Sequence, residues 1–116
     1  MINRTALLLR YKEPAVRWIN EADPSPSDHA VTLAGVNEER TVYLIEDIAG
    51  EDPESLTRWL KRNFELLFDN ELEGWYTDLA LWPPGRTYQL FLDWFEPECH
   101  TMIVDTCADE LLDDET

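Results

Sequence analysis

Segments of strand and helix character alternate along this 116-residue chain in the order β-α-β-β-α-β. That order predicts an α+β, two-layer sandwich: a four-stranded antiparallel sheet covered by helices on one face. Three observations carry the expectation. The uninterrupted apolar run Ala6-Leu7-Leu8-Leu9 reads as a buried central strand. Residues 53–68 repeat apolar side chains at helical spacing behind a strong start signal. Residues 41–47, TVYLIED, are β-branched and aromatic. The length suits one domain, and a chain of this size closes a core without a metal or disulfide staple.

Each element has its own local reason. The first strand is bounded by Arg4 and Tyr11. Pro14 suits the first position of a helix whose apolar face is Ala15, Val16, Ile19 and Ala22, with Trp18 on its flank. Asp23-Pro24-Ser25-Pro26-Ser27 ends it in a loop. Residues 29–35 alternate weakly, with Val31 and Leu33 on one side; with residues 41–47 they predict a hairpin across the polar turn 36–40. Asp52-Pro53-Glu54 supplies a cap, a proline just inside and an acid in the first turn. Leu56, Trp59, Leu60, Phe64, Leu67 and Phe68 follow, with Gly74 past the expected end. Thr77 or Asp78 caps a turn of helix through Trp82, halted by Pro83-Pro84-Gly85. Residues 87–96 form a second covering helix with Tyr88, Phe91, Leu92 and Phe95 on one face, and Pro97 stops it. The last strand is placed at residues 100–107. The order is that of the ferredoxin-like βαββαβ fold, with an extra short helix before the last helix. Residues 1–108 are expected to make the single α+β domain, and residues 109–116 an acidic C-terminal tail.

Charge decides which partners are plausible. Twenty-five acidic residues face nine basic ones, a formal −16. Such a surface repels phosphate backbones and anionic headgroups, so neither direct nucleic-acid binding nor membrane binding is expected. The basic residues that exist cluster early, with Arg4, Arg10, Lys12 and Arg17 against Glu13 in residues 1–17. No apolar run approaches a spanning length, and the N-terminal one is too short for an export signal, so a cytoplasmic protein is expected. Cys99 and Cys107 then read as free thiols.

No pattern of known chemistry is completed. Glu98-Cys99-His100 with Asp105 and Cys107 is the densest group of ligand types, but His29 is remote and strand geometry sends neighbours to opposite faces. Neither a metal, a cofactor nor a Cys–His nucleophile is expected, and acids around a thiol oppose thiolate formation. Asp93, between Leu92 and Trp94, is the best carboxylate for an apolar setting, although the solvent side of its helix is the simpler reading. Arg58 and Arg62 lie one turn apart and form a possible anion anchor, against the plainer reading of a solvated helix face. The aromatic-rich stretch 69–100 narrows to residues 75–86, bounded by Gly and Pro. There Trp75, Tyr76, Trp82 and Arg86 serve either as a lid on the core or as a binding surface.

The expectation is a small non-enzymatic macromolecular-binding or adaptor module with a protein partner, basic in character; a nucleic-acid mimic is one version. The competing readings are a small enzyme with a pocket near residues 75–86 and His100, and a purely self-associating protein such as a homodimer.

Overall fold

The computed structural model describes residues 1–22 and 30–112. The expected loop at 23–27 and His29 lie outside the described residues, as does the end of the acidic tail, 113–116. Strand β1 (Arg4–Tyr11) is central, antiparallel to β2 (Val42–Glu46) on one side and to β3 (Phe95–His100) on the other, in the order β2-β1-β3. Thr5, Leu7, Leu9 and Tyr11 point inward and are almost fully buried, whereas Arg4 and Arg10 on the other face are exposed. Helices α1 (Glu13–Ala22), α3 (Pro53–Trp75) and α4 (Tyr88–Trp94) close the inner face, where Leu7, Leu9 and Phe95 meet Ile19, Leu67, Phe68 and Phe91 in one core. The fold is α+β, as expected. No helix among the described residues is long and apolar enough to cross a membrane.

The four-stranded, ferredoxin-like expectation is wrong in two places. Residues 29–35 supply no strand within the described part. The chain instead forms the one-turn helix α2 (Leu33–Val36), whose cap is Thr32: its side-chain oxygen accepts from the Gly35 N–H at 3.0 Å. Two asparagine amides hold this segment, one from helix α1 and one against the end of β1. Asn20 Oδ1 accepts from the Val31 N–H and its Nδ2 donates to the Val31 carbonyl, at 3.0 and 3.1 Å. Asn37 makes the same two-way contact with Tyr11, at 2.9 and 3.1 Å.

The last strand is also displaced. Helix α4 starts where Thr87 caps the Leu90 N–H but stops at Trp94, and the chain passes directly into β3. Pro97 is therefore not a helix stop. It sits in an edge strand opposite Leu9, where a missing N–H costs no ladder bond. Lys12 fixes this turn from β1's end: its N–H donates to the Trp94 carbonyl at 2.8 Å and its Nζ to the Leu92 carbonyl at 2.9 Å. Residues 101–112 run without regular structure and return past the start of β1, where the Ile2 N–H donates to the Ile103 carbonyl at 2.8 Å.

Other expectations hold. Asp52 caps α3 through the Ser55 N–H with Pro53 just inside, and Asp78 caps the 3-10 turn Leu79–Leu81. Helix α3 runs one turn further than its glycine suggested, to Trp75.

Candidate binding surface

With every described helix on one side, no helix covers the outer face of the sheet; residues 101–112 pass along it near the start of β1, where Ala6 is buried. The register places Leu8 between Val42 and Glu98, and Ala6 between Leu44 and His100, so these side chains share that face. Its two edges differ in chemistry. Toward the end of β1, Glu98 gathers cations: Arg40 Nη1 at 3.3 Å, His100 Nε2 at 3.4 Å and Arg10 Nε at 3.8 Å. Arg40 precedes β2 and Glu98 lies in β3, so their pair bridges across β1 at Leu8. The hydrogen bond from Arg40, then that from His100, holds the Glu98 carboxyl below its usual range.

On the β2 edge, from Val42 (level with Glu98 across Leu8) toward the start of β1, the face is apolar. Val42 is 54% exposed and Leu44 44% exposed, on the same edge strand. Leu44 continues into a groove of about 400 Å³ shared with Ile2, Ile103 and Leu111, with Arg4 and Asp105 at its rim. Met102, Val104, Leu111 and Leu112 on the passing C-terminal segment are exposed as well. An apolar strip with a polar rim is the pattern of an interaction surface.

Residues 75–86 are differently placed. Their polar ends turn into the protein. Trp75 Nε1 donates to the Tyr11 hydroxyl at 2.9 Å, Trp82 Nε1 donates to the Tyr76 carbonyl at 2.7 Å, and the Tyr76 hydroxyl donates to the Ile19 carbonyl. Trp18 joins from α1, donating to the Leu81 carbonyl at 3.0 Å and meeting the Tyr76 ring edge-on. Arg86 pairs with Asp69 at 3.1 Å, its guanidinium 5.3 Å from the Trp82 ring centre. The four residues form a connected cap over the helical layer, with Trp75 still 36% exposed.

Beneath that cap lies a network that sequence reasoning missed. Glu71 of α3 accepts from the Tyr11 hydroxyl at 2.7 Å on one oxygen and from the Tyr43 hydroxyl on the other. Asn70 Nδ2 donates to the Tyr43 oxygen at 2.9 Å. Burial, followed by the Glu71 charge, raises the Tyr11 hydroxyl above its usual range; burial and the bond to Glu71 do the same for Tyr43. The arrangement ties both β1 and β2 to α3. Its acceptor is satisfied from both sides, which suits a structural staple better than a proton donor.

The remaining candidates separate. Arg58 and Arg62 do share a groove of about 330 Å³ with Ser55 and Trp59, where Arg58 Nη2 donates to Ser55 Oγ at 3.2 Å. Glu46 and Glu51 line the same groove, which opposes a second anion. Cys99 faces inward opposite Leu7 while His100 faces outward opposite Ala6, so the pair diverges. Burial pushes the Cys99 thiol up. Cys107 is exposed, and Asp93 is exposed and accepts from Gln89 Nε2 at 3.0 Å. Among the described residues no cluster of three metal-ligating side chains occurs. His100 and Trp75 stand on opposite sides of the sheet. Comparisons with family models, curated proteins and solved structures find no match to this chain.

The apolar surface was missed for a definable reason. Val42, Tyr43, Leu44 and Ile45 are apolar at successive positions, a pattern that ordinarily marks a strand covered on both faces.

Proposed function

We propose that this protein is a cytoplasmic, non-enzymatic binding module that takes a basic protein partner on the open outer face of its sheet. The observation that carries the reading is the exposed apolar strip of Val42 and Leu44, continuous with the Ile2–Ile103–Leu111 groove. It lies on a molecule whose net charge of −16 favours encounter with positively charged proteins and repels nucleic acid. The apolar strip supplies contact area, and the long-range field supplies encounter rate and partner sign. A protein whose basic surface normally holds nucleic acid is one such partner, with the carboxylates standing in for phosphates. The cap formed by Trp75, Tyr76, Trp82 and Arg86 can contribute only the ring surface that its internal hydrogen bonds leave exposed.

The test compares affinity capture by the wild type with capture by a Val42→Ser/Leu44→Ser variant, at low and high salt. Both substituted side chains are exposed, so the fold is expected to survive. The reading predicts a retained set dominated by basic proteins, weakened by salt and depleted at least tenfold by the double substitution. Capture that is indifferent to both the substitutions and the salt contradicts it.

A further inference from the structure

The two edges of the sheet are not alike. Edge strand β3 carries Pro97 at its centre with Glu96 and Glu98 on either side, the devices by which natural sheets block pairing with another chain. Edge strand β2 has no proline, and its one charged residue, Glu46, stands at its end. Its five residues, Val42-Tyr43-Leu44-Ile45-Glu46, contain no proline or lysine and three strong strand formers, Val42, Tyr43 and Ile45. Among the described residues its backbone makes no hydrogen bonds outside the ladder with β1. In an antiparallel ladder alternate N–H and C=O groups of an edge strand point away from its neighbour, so β2 offers a row of donors and acceptors to a further strand.

The surroundings indicate what would pair there. Exposed carboxylates bracket the strand: Glu38 and Glu39 just before it, Glu46 and Asp47 at its end. Of the cations nearby, Arg40 is engaged across the sheet with Glu98, and Arg4 stands opposite Glu46 at the far end of the strand. On the solvent face Val42 and Leu44 present two apolar positions two residues apart. A second copy of this chain would bring its own like-charged bracket into contact and a second net charge of −16 with it. Charge therefore favours a different occupant.

We propose that β2 takes an extended segment of the partner as a fourth strand. That segment would carry lysine or arginine at both ends and apolar side chains at alternate positions between them. This rests on the reading that the protein binds a basic partner, and it adds the mode: main-chain pairing gives affinity, Val42 and Leu44 read alternate side chains, and the carboxylate brackets select the charge at the ends.

The probe is a synthetic peptide, Lys-Val-Thr-Val-Thr-Val-Lys, compared with the same peptide N-methylated at alternate residues and with a version ending in glutamate. Titration and amide hydrogen exchange are followed on the full chain. The unmethylated basic peptide is expected to bind, to slow exchange at alternate amides of residues 42–46 by at least tenfold, and to weaken with salt. N-methylation on the pairing edge, or glutamate ends, should reduce affinity at least tenfold, and so should the Glu38→Gln/Glu39→Gln/Glu46→Gln/Asp47→Asn variant. If basic peptides bind equally well when methylated and leave the 42–46 amides unprotected, the strand mode is wrong while the basic-partner reading stands. If no basic peptide binds at all, both fail. Protection at 42–46 that grows with protein concentration in the absence of peptide would show a second copy on this edge and overturn the proposal.

Discussion

Glu71 shows how much one side chain organises here. It stands on α3 and accepts from hydroxyls on two different strands, Tyr11 and Tyr43. Replacing it with alanine leaves both phenols without their acceptor. Glu71→Ala is therefore expected to cost about 1.5–3 kcal/mol, the range for hydrogen bonds to a charged group, measured by urea unfolding; an unchanged midpoint would contradict the role. The same network sets an alkaline limit. Both tyrosines hold their protons in the fold beyond the usual value of about 10, whereas in the unfolded chain they release them near it. The native state then binds more protons above that pH, so this contribution is intact below about pH 10 and is lost as pH rises further. Gly50 is the second informative residue. A Cβ there would stand 2.6 Å from the side chain of Thr5, which is itself buried under the sheet. Gly50→Ala is expected to destabilise by about 1–3 kcal/mol through overpacking, read as a lowered thermal midpoint with no change in oligomeric state. Neither effect was legible in the sequence, because each depends on contacts between residues more than twenty positions apart.

At the scale of elements, what could be read from sequence was what local chemistry determines. The apolar run at Ala6–Leu9 gave the central strand and Asp52 the cap of α3; of the alternatives Thr77 and Asp78 it is Asp78 that caps, and Thr87, expected as the first helical residue, is the cap of α4. Two errors came from periodicity. Residues 95–100, FEPECH, alternate inward and outward in the sheet, yet the aromatic spacing of α4 continues smoothly into Phe95 and concealed the change of period. Thr32 is a good cap, but a four-residue helix has too few positions to show a period. Where a fourth strand was expected, Asn20 of α1 holds Val31 and Asn37 holds the end of β1 at Tyr11, contacts that no hydrophobic pattern announces. For the candidate surface, the aromatic content of residues 75–86 was visible, whereas the direction of its polar ends was not. The direction depends on Ile19, Tyr11 and Leu81 lying within reach, which is a property of the packed layer.

For the whole molecule, the open sheet face and the net charge of −16 belong to one account. One layer of helices is enough to close a core of this size. The other face of the sheet is left with an ion-pair cluster at Glu98 and an apolar β2 edge at Val42 and Leu44. In a chain so rich in carboxylates, exposed valine and leucine on an edge strand without proline or lysine are a liability unless something covers them. The direct test is a hydrogen-exchange footprint of the full chain with a basic partner recovered by capture. The account predicts slowed exchange in residues 42–46 and around residues 103–111, with residues 75–86 unchanged. Protection confined to residues 75–86, with the β2 amides exchanging as in the free protein, would contradict it and move the binding surface to the aromatic cap.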